Sequence, residues 1–88
     1  MTIEEWRDHA SHLFSMARDL TQCTTEREEW QWVRRAEKLR LESWAVGIHP
    51  RATHRDRMKM VNAKAALDAA FDSVRHLVGV PEEEVAAH

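Results

Sequence analysis

The sequence predicts an all-α protein, a three-helix antiparallel bundle, and three observations lead to this fold class. Two stretches repeat apolar residues at alternating spacings of three and four, as in a helix that packs along one side. Helix-capping signals precede three stretches. The 88 residues include two glycines, two prolines and no tyrosine, whereas a β-sandwich or barrel needs many turns. We predict one domain over residues 1–80, followed by an acidic tail, 81–88.

The first predicted helix covers residues 3–21. Thr2 and Glu5 form a capping box, in which each side chain accepts a hydrogen bond from the other residue's backbone N–H. Its apolar residues follow the 3-4 rhythm and are Ile3, Trp6, Ala10, Leu13, Ala17 and Leu20. The short connection 22–25 makes the next helix run antiparallel to the first.

The second predicted helix covers residues 26–46, with Thr25 as its cap. Gly47 is predicted to end it in a left-handed conformation. On a helical wheel, two apolar stripes lie on nearly opposite sides: Trp30, Val33, Leu41, Trp44 and Ile48 on one, and Trp32, Ala36, Leu39 and Val46 on the other. A helix with one neighbour needs one stripe. We therefore expect two neighbours, either both other helices or one helix and another protein.

The three tryptophans of the second helix are the largest packing groups in the chain. One interpretation places Trp30, Trp32 and Trp44 in the core. The alternative is that Trp32 is exposed and anchors a partner, since tryptophan is enriched in binding hot spots. Glu37 falls at the edge of the stripe that carries Trp44, where we expect a rim position because a buried unpaired carboxylate is costly.

The third predicted helix covers residues 54–78. Thr53 and Asp56 form a second capping box, and Gly79 is predicted to stop the helix before Pro81. Its seam comprises Met60, Ala63, Leu67, Ala70, Val74 and Leu77, and a thinner second stripe comprises Met58, Val61, Ala65 and Ala69. Pro81 and the three glutamates after it favour a short helical turn in the tail, with a frayed tail as the alternative.

Charge is the most informative signal for function. Residues 1–33 hold three basic and seven acidic side chains, a net charge of −4. Residues 34–64 hold nine basic and three acidic side chains, a net charge of +6. Residues 65–88 hold one basic and five acidic side chains, a net charge of −4, so the whole chain carries −2. The bundle should gather the end of helix 2 and the start of helix 3 at one end. We predict a basic pole there, formed by Arg34, Arg35, Lys38, Arg51, Arg55, Arg57 and Lys59.

These features predict a small non-enzymatic interaction or regulatory protein that binds a macromolecular partner through the basic pole and the exposed aromatic Trp32. The surplus of apolar faces favours another protein or a homodimer as the partner. Nucleic-acid binding through segment 34–64 is the alternative, weakened by the acidic overall balance. A plain solvated charged face competes with both, and a small dimeric helical enzyme is a third, weaker alternative.

Signatures of other classes are missing from the sequence. It has no glycine-rich phosphate loop, nucleophile elbow or paired-carboxylate motif, so we predict no enzyme and no catalytic residue. The six histidines include no HExxH motif and no CxxC pair accompanies them, so we predict no metal and no cofactor. The single cysteine, Cys23, is expected to be a bystander. With no apolar run of membrane-spanning length and no signal-peptide pattern, we expect no membrane segment and a cytoplasmic location.

Overall fold

The computed structural model describes residues 1–85, which are all-helical; the last three residues of the predicted tail 81–88 lie outside this range. Three α-helices span Ile3–Asp19 (α1), Glu26–Trp44 (α2) and His54–Ser73 (α3), with 3-10 turns at Leu20–Gln22, Arg75–Leu77 and Glu82–Glu84. α1 packs against both other helices, which confirms the predicted three-helix bundle. The turn at Glu82–Glu84 is the short helical turn expected in the tail. None of the helices within residues 1–85 has the length and apolar character needed to cross a bilayer.

The capping signals act as predicted. Thr2 Oγ1 accepts a hydrogen bond from the Glu5 backbone N–H at 3.1 Å, and the Glu5 carboxylate accepts one from the Thr2 backbone N–H. Thr53 and Asp56 repeat this box at the start of α3, with hydrogen bonds of 3.1 and 3.0 Å. Each box satisfies backbone N–H groups that have no partner within the first helical turn.

Consecutive helices run in opposite directions. The indole Nε1 of Trp6, near the start of α1, donates to the carbonyl oxygen of Gly47 after the end of α2, at 2.8 Å. The indole Nε1 of Trp32, in the first half of α2, donates to the carbonyl oxygen of Met16 near the end of α1, at 2.7 Å. α3 reverses direction again, so α3 runs parallel to α1 and the starts of both helices lie at the same end of the molecule.

The core lies where the three helices meet. α1 makes its most extensive contact with α3, where Ala10 and Ala63 are fully buried and allow a close approach. α2 stands against this pair through Trp32, which is completely buried. Phe71, which the 3-4 seam of the third helix omits, is also a core residue. Small residues between α1 and α3 therefore leave the space that a large aromatic on α2 fills.

All three helices end earlier than predicted, α1 at Asp19 rather than at residue 21 and α2 at Trp44 rather than at residue 46. α3 ends at Ser73 rather than at residue 78, because Val74 leaves the helical conformation at φ −123° and ψ 22°. The chain continues in a 3-10 turn that keeps Leu77 buried, and Gly79 then adopts the left-handed conformation, with φ 77°. The prediction that Gly47 ends α2 in this way is wrong, since Gly79 has the one positive φ among residues 1–85.

Candidate functional site

The C-terminal segment 75–85 covers the start of the α2 stripe that runs from Trp30 to Trp44. The indole Nε1 of Trp30 donates a 2.7 Å hydrogen bond to the carbonyl oxygen of Val80, and Trp30 is only 8% exposed. Val85, 5% exposed, fixes the segment in the core, and Arg27 pairs with Glu82 at 3.3 Å. This segment therefore serves as a fourth packing element.

The second half of the same stripe has no cover. Trp44 lies fourteen residues beyond Trp30, about 21 Å along the helix, and is 81% exposed. Leu41 and Ile48 on either side are 65% and 73% exposed. Scattered exposed apolar residues are ordinary on a protein surface, but a contiguous set that includes a tryptophan is typical of an interaction site.

These exposed side chains lie along a groove between α2 and α3. Its central part is lined by the buried residues Leu13 and Leu67 and by the exposed residue Trp44. One end is lined by Leu41, Trp44, Phe71 and Val78, and the other by Ile48, Met60 and Val61. We call the exposed members of this lining the apolar patch: Leu41, Trp44, Ile48, Val61 and Val78.

Two internal contacts set the relative positions of α2 and α3 along the groove. Arg40 pairs with Asp68 at 3.1 Å and lies over the Phe71 ring, 4.3 Å from its centre. Lys64 Nζ donates to the carbonyl oxygen of Val46 at 3.2 Å and to that of Ser43 at 3.5 Å. Lys64 thus gives the Val46 carbonyl oxygen a donor just after α2. It gives a second donor to the Ser43 carbonyl oxygen, which also accepts from the Val46 backbone N–H at 3.1 Å.

Two charged residues line each end of the apolar patch, Glu37 and Arg40 at one and Arg57 and Lys64 at the other. The internal contacts described above hold Arg40 and Lys64, which leaves Glu37 and Arg57. Glu37 is half-buried and lines the groove beside Leu41, which agrees with the expected rim position. Arg57 is exposed and lines the groove beside Ile48. The ion pairs found within residues 1–85 involve neither of them. The patch therefore has an acidic end and a basic end.

Trp32 is not the exposed aromatic. It is 0% exposed, and its indole N–H is bound to the Met16 carbonyl oxygen inside the core, so the prediction that it anchors a partner is wrong. The prediction that all three tryptophans of α2 are core residues is also wrong, because Trp44 faces solvent. One signal in the sequence could have indicated this outcome: the stripe that carries Trp44 also carries Glu37, whereas the stripe of Trp32 carries Ala36.

The structure divides the predicted basic pole into two groups of exposed side chains. Arg51, Arg55, Arg57 and Lys59 lie at the end formed by the linker and the start of α3, whereas Arg34, Arg35 and Lys38 lie in the middle of α2, about 9 to 15 Å from its last residue. Arg34 also stands over the Trp30 ring, 5.4 Å from its centre. The seven cations thus do not form one cluster.

Acidic residues of α1 share the end that carries the linker. The His49 ring is 2.9 Å from the carbonyl oxygen of Met1, which places the first turn of α1, with Glu4 and Glu5, beside the linker. Arg7 and Asp56 form an ion pair across this end at 3.0 Å. The positive charge of the segment 34–64 is therefore partly offset in space.

Titratable groups elsewhere have structural roles. His9 contacts the buried Ser43 hydroxyl at 3.1 Å, and burial, with smaller effects from His12 and Lys64, lowers its pKa. Burial raises the pKa of the Cys23 thiol, which disfavours the reactive thiolate. Within residues 1–85, no three histidine, cysteine, aspartate or glutamate side chains are placed to hold a metal ion.

Comparison with known proteins adds no functional information. No protein-family model, curated protein or solved structure matches this chain.

Proposed function

We propose that this chain is a non-enzymatic interaction protein that binds another protein through the apolar patch of the α2–α3 groove. The observation that carries the proposal is the 81% exposure of Trp44, on the same stripe as Trp30, which the chain's own C-terminal segment covers. A tryptophan left in water keeps a large apolar area available for a partner. A partner element that covered Trp44 would complete the packing that segment 75–85 begins.

The basic residues have a secondary role in this proposal. Arg57 lines the end of the groove at Ile48. Arg51, Arg55 and Lys59 are exposed on the linker and the first turns of α3, near that end of the molecule. These cations would steer an acidic region of the partner. Glu4 and Glu5 lie at the same end and offset part of this positive charge. The basic residues would therefore orient the partner rather than supply most of the binding affinity. If this chain has a regulatory role, it would act by changing the activity of the protein that it binds.

Nucleic-acid binding has less support than protein binding. The cations of segment 34–64 are spread over two regions, and an acidic helix start lies beside one of them. A gel-shift titration at two salt concentrations separates the alternatives, since binding to phosphates weakens steeply as salt rises. We expect no retained complex. For the dimeric enzyme, the described residues present no group of catalytic side chains that we can assign.

Site-specific photo-crosslinking in the native host tests the protein-binding proposal. A photoreactive residue at Ile48, which is 73% exposed, should yield adducts heavier than the 10.3 kDa chain. The matched control carries the same residue at Glu42, which is exposed on α2 outside the groove lining, and should yield none. An absence of adducts from Ile48, Leu41 and Val61 alike would contradict the proposal.

A further inference from the structure

We propose that the partner on the apolar patch is a second copy of this chain, related by a two-fold axis that passes near Trp44. This inference rests on the proposed function and specifies the partner of the same site. A two-fold interface uses one surface twice, so the patch must complement itself when rotated by half a turn. The apolar patch meets that requirement in both shape and charge.

Exposed apolar residues lie on both sides of Trp44 along the groove. Lys64 of α3 bonds to the carbonyl oxygens of Ser43 and Val46. Arg40, four residues before Trp44, pairs with Asp68, four residues after Lys64. These contacts place Trp44 and Lys64 near the same position along the groove. Ile48 and Val61 lie on one side of this position, and Leu41 and Val78 lie on the other. A two-fold rotation about an axis near Trp44 therefore places the aliphatic residues at one end of the patch against those at the other end of the partner subunit's patch. The Trp44 side chains of the two copies then meet in the middle.

The charged ends match under the same rotation. Arg57 precedes Lys64 by seven residues on α3, and Glu37 precedes Trp44 by seven residues on α2. Each is thus about 10.5 Å from the central position, and they lie in opposite directions because α2 and α3 are antiparallel. A two-fold axis at the centre brings Arg57 of one copy to Glu37 of the partner subunit, and the reverse pair forms at the other end.

This pairing explains one feature that the single chain leaves open. Glu37 is half-buried beside apolar side chains and takes part in no ion pair within residues 1–85, and a second copy would supply its cation. The molecule is 47 Å long and 21 Å wide, so its long side has room for the roughly 800 Å² per partner that a stable interface buries. A foreign partner would need no such symmetry in the patch.

Charge exchange between two variants tests this inference. The wild-type chain should sediment at twice 10.3 kDa. Arg57→Glu and Glu37→Arg should each make both reciprocal contacts repulsive and raise the dissociation constant about tenfold or more. An equimolar mixture of the two variants should associate like the wild type, because each mixed pair again joins opposite charges. Trp44→Ala should weaken association at least tenfold without any change of charge.

Matched controls carry the same charge reversals away from the groove. Arg18→Glu on α1 and Glu42→Arg on α2 are at exposed positions and should leave association unchanged, and circular dichroism should show equal helix content in all variants. A strictly monomeric wild type, or a mixture that associates no better than the single variants, would overturn the dimer. A monomeric chain that nevertheless crosslinks from Ile48 to a protein of different mass would leave the proposed function standing without this inference.

Discussion

The indole N–H of Trp30 donates a 2.7 Å hydrogen bond to the carbonyl oxygen of Val80. This bond joins the first half of α2 to the segment after α3, fifty residues away along the chain. It makes the C-terminal segment part of the core, and it explains why two tryptophans on one helical stripe have opposite exposures. Trp30 lies under the segment, whereas the segment leaves Trp44 81% exposed.

Releasing the C-terminal segment should expose Trp30. Val85→Asp places a charge at a position that is 5% exposed, so the segment should detach rather than bury an unpaired carboxylate. We expect the Trp30 indole N–H to lose its protection from hydrogen exchange, measured by NMR. Val78→Asp, at a position that is 42% exposed, is the matched control and should retain it. Full protection in Val85→Asp would contradict this role of the segment.

Trp32 and Trp44 should differ sharply in their contribution to stability. Trp32→Ala removes a completely buried ring and its hydrogen bond, and should lower the free energy of unfolding by about 3–5 kcal/mol. Trp44→Ala removes an exposed ring and should change it by less than about 0.5 kcal/mol. Chemical denaturation at high dilution, where self-association is negligible, measures both. Equal losses would show that Trp44 is part of the monomer core.

Much of the fold was predictable because its signals are local. Thr2 with Glu5, and Thr53 with Asp56, mark helix starts by hydrogen bonds that span three residues, and the 3-4 spacing identifies the buried sides of α1 and α3. The break at Val74 was not predictable in this way. The 3-4 spacing of apolar residues predicted for α3 continues to Leu77. Leu77 is buried even though it lies in a 3-10 turn beyond the end of the α-helix, so the spacing alone does not show where α3 ends.

The candidate site was harder to predict because it depends on long-range packing. Trp30 and Trp44 lie on the same stripe of α2. What covers Trp30 but not Trp44 is the path of segment 75–85, which the sequence pattern does not specify. The basic pole was predicted by counting charges along the chain. In the folded chain, Glu4 and Glu5 reach the same end because α1 and α3 start together.

Lys64 should stabilise the end of α2. Its ammonium group donates to two carbonyl oxygens of the last turn and of the residues that follow it, and its charge complements the helix dipole. Lys64→Met should cost about 1 kcal/mol and speed hydrogen exchange of the amides in the last turn of α2. Lys59→Met is the control, since Lys59 makes one exposed 3.5 Å contact with Ser11. Unchanged exchange in Lys64→Met would contradict this role of Lys64.

Asp56 should give the protein an acid-sensitive contribution to stability. Hydrogen bonding to the Arg7 guanidinium, aided by the Thr53 backbone N–H, lowers the pKa of Asp56 from 3.8 to about 2. Because the folded pKa lies below the unfolded one, the contribution is fully present above about pH 4 and is lost as the pH falls toward 2.

Asp56→Asn should therefore be less stable than the wild type at pH 7, and the difference should shrink between pH 3.8 and 2. Arg7→Gln should behave similarly, since it removes the main cause of the shift. Thermal unfolding across this pH range measures the effect, and a difference that stays constant down to pH 2 would contradict it.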